Sequence, residues 1–132
     1  MSQANDALEV ELRKHLFLTA SFTKPTTIDI GLYTAAPGEA GGGTEVTGGS
    51  YARVARNPLD ANWTSVSATT GLTDNAAVIT FPTPTANWGL ITHFQLIFNT
   101  GAIYGTLTAS KTVNNGDAAP SFAAAALSVT VA

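Results

Sequence analysis

The spacing of apolar residues changes once along this chain, from a helical to a strand-like period, between Thr19 and Thr27. Before the change, Leu8, Leu12 and Leu16 recur every fourth residue and line one face of a helix. After it, Ile28, Ile30 and Leu32 alternate with Asp29, Gly31 and Tyr33, which is the period of a half-buried strand. This order predicts one N-terminal helix followed by a β body.

Asp6 can cap that helix, with Glu9 three residues on and Arg13 four beyond Glu9, so an amphipathic helix of about three turns is expected over about 6–18. Its apolar stripe either covers the chain's own sheet or docks on a neighbouring subunit. Strands are expected over Thr27–Thr34, Ser50–Arg56, Trp63–Ala68, Ala76–Phe81, Leu90–Phe98 and Ala102–Thr108, with a short piece at Thr112-Val113 and a closing strand carrying Leu127, Val129 and Val131. Leu90–Phe98 is apolar on both faces and belongs at the centre of a sheet. Between the first two strands, residues 37–49 hold too much glycine and too little apolar surface to pack, and predict a long exposed loop. Roughly six to nine short strands at turn spacings of about 8–12 residues predict a mainly β fold, an antiparallel β-sandwich with Greek-key or jelly-roll-like connections; a barrel is the alternative.

The chain has 132 residues, enough for one domain with a sizeable core. Only 11% of them are charged, against about 25% in ordinary globular domains, and Thr, Ala and Gly take the vacated positions. A neutral surface suits a protein covered by neighbours in an assembly. A net charge of −3 with six Lys plus Arg gives no basic stripe for a nucleic-acid backbone. With no cysteine, disulfides, thiolate metal sites and a cysteine nucleophile are all excluded. The start, Met1-Ser2-Gln3-Ala4-Asn5-Asp6, lacks the basic and apolar regions of a signal peptide, and no apolar run approaches membrane-spanning length. Synthesis and folding in the cytoplasm, without membrane insertion, is the expectation.

No residue pattern points to catalysis or to a cofactor. His15 and His93 lack the spacing of a metal pair, and the scattered acids never form the alternating pattern of a calcium loop. Ser50, His93 and Asp74 supply the residue types of a triad, but the chain has no nucleophile-elbow motif. The Gly41–Gly43 tract lacks a Gly-Lys-Ser/Thr ending and leads into a strand, so it does not describe a phosphate loop. Tyr51, Trp63 and Trp88 lie beside short polar residues, where aromatic rings either plug a sandwich or stack on sugars and partner surfaces.

Leu32-Tyr33-Thr34-Ala35-Ala36-Pro37, Gly41 to Val46 and Gly48-Gly49-Ser50-Tyr51-Ala52-Arg53 resemble the front half of small tailed-phage proteins described as tail fibre or minor tail proteins. Ile79-Thr80-Phe81-Pro82, Ala86-Asn87-Trp88-Gly89, Thr92-His93-Phe94 and the stretch from Leu107 to Asp117 resemble the back half. The resemblance spans nearly the whole chain. It implies a non-enzymatic virion structural protein, present in several copies and assembled in the host bacterial cytoplasm. Its implied place is the tail, as a fibre, baseplate or minor tail component; capsid decoration on the head and a carbohydrate-binding receptor module are the alternatives. Expected partners are other virion proteins and further copies of the chain, a trimer first, with a host surface glycan in the receptor reading. The side chains expected to meet them are Leu8, Leu12, Leu16, Glu45, Tyr51, Arg53, Trp63 and Trp88.

Overall fold

A computed structural model describes residues 2–130. Ser2–Ala4 form strand β1 and Asp6–Phe17 form α1, the one helix among the described residues. Asn5, not Asp6, caps the helix: its backbone is extended and its Oδ1 accepts from Leu8 N at 3.1 Å. The same Oδ1 accepts from Ala102 N at 2.9 Å, and Asn5 N donates to Ala102 O. Only a residue just outside the helix can face both ways, and Asp6 is already in the first turn, where its charge suits the helix dipole.

The expected Glu9–Arg13 pair is present at 3.7 Å. The leucine stripe is used over only part of its length. Leu8 is buried and Leu12 is packed against the core, but Leu16 is 71% exposed. The helix packs on one strand of the sheet and its last turn stands clear.

The remaining strands are β2 (Asp29–Ala35), β3 (Thr44–Glu45), β4 (Val54–Ala55), β5 (Thr73–Asp74), β6 (Ile79–Thr80), β7 (Gly89–Phe98), β8 (Gly101–Val113), β9 (Ser121–Phe122) and β10 (Ser128–Val129). All pairings are antiparallel. The main sheet runs β1-β8-β7-β2-β3, with β4 on the same outer edge of β2 as β3. Strand β7 is central, as its two apolar faces predict. Register puts Ile30, Leu96 and Ile103 in one row and Leu32 and Phe94 in the next. These side chains join Ile79, Phe81, Leu127 and Val129 in one core, so the small ladders β6–β9 and β5–β10 form a broken second layer. The fold is mainly β and antiparallel, with one short N-terminal helix.

Gly101 lies where the helix meets the β7–β8 hairpin. A Cβ there would stand 2.6 Å from Leu8 N and 2.8 Å from Leu8 Cβ, so only glycine lets the helix approach.

Several expected elements differ. Trp63–Ala68 is not a strand; only Trp63 pairs, through a bridge to Asn75. The segment meets residues 72–76 only at intervals, Thr64 N on Asp74 O, Ser67 N on Leu72 O and Ala76 N on Asn62 O, so no continuous ladder forms. Beside it, the buried Asn75 side chain donates to Ala77 O and Ala123 O and accepts from Leu127 N, at 2.8–2.9 Å. One amide thus ties three segments that are too short to hold each other by strand pairing. Of Ser50–Arg56 only Val54–Ala55 pairs. The stretch 37–49 is less loop-like than expected, because Thr44–Glu45 joins the β2 edge and Val46 is buried. Val131 lies outside the described residues. At the other end of the second layer, Ser2 Oγ donates to Thr130 O and accepts from Thr130 N.

Asn75→Ala should lower unfolding free energy by about 1–3 kcal/mol, since it leaves the buried Leu127 N without its partner and cuts the side-chain bonds to Ala77 O and Ala123 O. Urea denaturation measures this; a loss under about 1 kcal/mol would show that Asn75 does not hold the layer.

Candidate interaction site

Glu45, Tyr51 and Arg53, expected as separate contact residues, form one cluster on the outer edge of β2. Strands β3 and β4 share that edge end to end and leave a gap opposite Leu32. Leu32 O is taken by Val46 N at 3.0 Å, while Leu32 N donates to the Tyr51 hydroxyl at 2.8 Å. Tyr51 then donates to Glu45 Oε1 at 2.9 Å. Arg53 grips the same carboxylate with two nitrogens, Nε on Oε1 at 2.8 Å and Nη2 on Oε2 at 2.7 Å. A side chain therefore stands in for the missing piece of strand.

The glycine-rich turn places Tyr51 there. Gly48, Gly49 and Ser50 all have positive φ, and Tyr51 N closes the turn on Gly48 O. A Cβ on Gly49 would meet Ala86 at 2.9 Å and Trp88 Nε1 at 3.0 Å, and that indole nitrogen donates to Gly49 O. The Tyr51 ring stacks on Phe81 at 6.4 Å and meets Trp88 edge-on at 5.3 Å. Both Tyr51 and Trp88 are thus packing residues, with their ring faces spent inside the chain.

The charges are mutually satisfied. Hydrogen bonds from Arg53 hold the Glu45 carboxyl below its ordinary value, against burial that pushes the other way, with Tyr51 adding to the lowering. Glu45 in turn keeps Arg53 firmly protonated. Burial raises the Tyr51 and Tyr33 phenols, and Glu45 raises both further. Tyr33 donates to Gln95 Oε1 at 2.6 Å. Both Glu45 oxygens are occupied by chain donors, so the cluster acts as a lock on the sheet edge.

The other candidates divide by exposure. Leu8 and Trp88 are buried within the chain, where they pack against its core. Leu16 is at the surface, followed by two residues that helical periodicity passes over: Phe17 is 80% exposed and Leu18 67%. Three consecutive apolar residues cannot share one helix face, and that was the available signal. Trp63 is half-buried and lines a groove of about 810 Å³ with Leu59, Val66, Leu96, Phe98 and Val129.

The triad residues do not meet one another: Ser50 Oγ bonds Thr85 Oγ1, His93 Nδ1 bonds Thr92 Oγ1, and Asp74 N donates to Thr64. His15 Nδ1 accepts from Phe22 N. Among the described residues no group of three or more His, Cys, Asp or Glu is placed to hold a metal, and no helix is long and apolar enough to cross a membrane.

Two outcomes test the lock. Tyr51→Phe leaves Leu32 N unpaired and should cost about 1–3 kcal/mol in denaturant unfolding. Because the folded Glu45 carboxyl titrates below its ordinary value near 4.5, its contribution is complete above that pH and is lost as pH falls through the lower folded value. Glu45→Gln should therefore flatten the acid limb of a melting-temperature profile below about pH 4.5; an unchanged limb would remove the lock's electrostatic part.

A family model described as "Podophage GP4 fiber I protein gp80" matches residues 3–130. Among curated proteins, none matches this chain.

Proposed function

The chain belongs to the podophage GP4 fiber I protein gp80 family, and we propose that it works in the virion as a non-enzymatic structural unit of the tail, by binding copies of itself and other virion proteins. The observation that carries this reading is the exposed Leu16-Phe17-Leu18 end of α1. Contiguous exposed apolar side chains of this kind often mark contact sites. This end sits on a helix anchored by Leu8 and Leu12, so little ordering is lost when a partner covers it.

The low charge fits the same reading, because faces that meet neighbours need not carry solubilising side chains. The family's description as a fibre protein supports the tail over decoration of the head. A glycan platform has less support, because the rings of Tyr51 and Trp88 are packed against each other. Assembly would take place in the host cytoplasm from folded units.

Two measurements test this. Sedimentation of the purified protein should show self-association in the micromolar range, and gold-labelled antibody should decorate tail fibres of intact particles. A protein that stays monomeric and is missing from purified virions would sink the proposal; label confined to the head shell would favour decoration instead.

A further inference from the structure

The two edges of the main sheet end differently. Along β2, the Tyr51 hydroxyl fills the gap between β3 and β4. Along β8, strand β1 covers only Ile103, Tyr104 and Gly105 of a strand that runs on to Val113. Resting on the reading of the chain as a unit that binds other virion proteins, we infer that residues 107–112 of β8 take an extended, acidic segment of a partner as an added strand, antiparallel to β8 and end to end with β1.

Unpaired backbone specifies that kind of partner. The ladder with β7 passes from Thr106 opposite His93 to Lys111 opposite Ile91, so residues 107–110 bulge out of it. Among the described residues, neither β1, nor β7, nor any other segment pairs with those four. Thr108, Ala109 and Ser110 are exposed, and another extended backbone matches their row of donors and acceptors group for group.

There is room beside the row. A slot of about 460 Å³ is lined by Thr106, Leu107 and Ala109 of β8 and by Ser121, Phe122 and Ser128 of the second layer. Leu107 and Phe122 are half-buried, so alternate side chains of an added strand would meet apolar surface while the others face hydroxyls. Lys111 is the one charged residue lining the slot, and among the described residues no carboxylate pairs with it. That unspent charge favours a glutamate or aspartate on the incoming strand.

The full chain and a capped peptide of alternating valine and threonine, with one glutamate set opposite Lys111, test this. Amide hydrogen exchange at residues 107–112 should slow at least tenfold when the peptide saturates the chain. The same peptide methylated on its backbone nitrogens keeps every side chain but cannot donate, and should bind at least tenfold more weakly. Lys111→Gln should weaken the parent peptide about threefold, the size of an exposed ion pair; equal binding overturns the acidic part of the inference. Unchanged exchange with peptide in excess, or equal binding of the methylated peptide, overturns strand addition altogether and leaves the bulge and Lys111 as guards that keep other chains off this edge. Neither result bears on the place in the virion, which labelling of intact particles decides separately.

Discussion

One amide on a sheet edge sets the terms for much of this structure. Leu32 N points out of β2 where no strand reaches it, and the Tyr51 hydroxyl takes its hydrogen. Many strands here are only two residues long, too short for backbone ladders to specify where they lie. Side chains do that work. Tyr51 completes β2, Asn5 joins helix to hairpin, and Asn75 gathers the second layer. Each supplies donors and acceptors where a longer strand would have supplied backbone, and each satisfies groups that would be expensive to bury alone.

Features that depend on local period were legible in the sequence: the helix, the central strand β7, its hairpin partner β8 and the core face of β2. The shared position of Tyr51 and Arg53 was legible too, since alternation puts them on one side of an extended segment. What was not legible depends on distant partners. Nothing near Asn5 announces that Ala102 will need an acceptor, so Asp6 looked like the better cap. Trp63–Ala68 reads as a strand by composition, but a strand needs a continuous neighbour, and its bonds to residues 72–76 come only at intervals. Glycine content concealed β3, because pairing with Tyr33 and Ala35 fixes Thr44–Glu45 despite the flexible residues before it.

The arrangement separates the packed interior from the apolar side chains left at the surface. Tyr51, Trp88, Phe81, Phe94 and Phe122 form a connected aromatic cluster inside, and the Glu45–Arg53 pair closes the edge above it. The apolar side chains left outside lie on the end of a short helix and on the connections around Leu59 and Val66. Changes at those outer positions leave the aromatic cluster intact, so the surface can vary while the scaffold is kept.

The meeting of Ser2 with Thr130 carries a mechanical consequence. A pull applied through these two points would not be shared along a strand, as it is when ends lie at opposite poles of a sheet. It would load the Ser2–Thr130 bonds first and one at a time, then peel β1 from β8. The β7–β8 hairpin and the locked edge of β2 would remain, so the body would yield by opening at a seam before it lost its core.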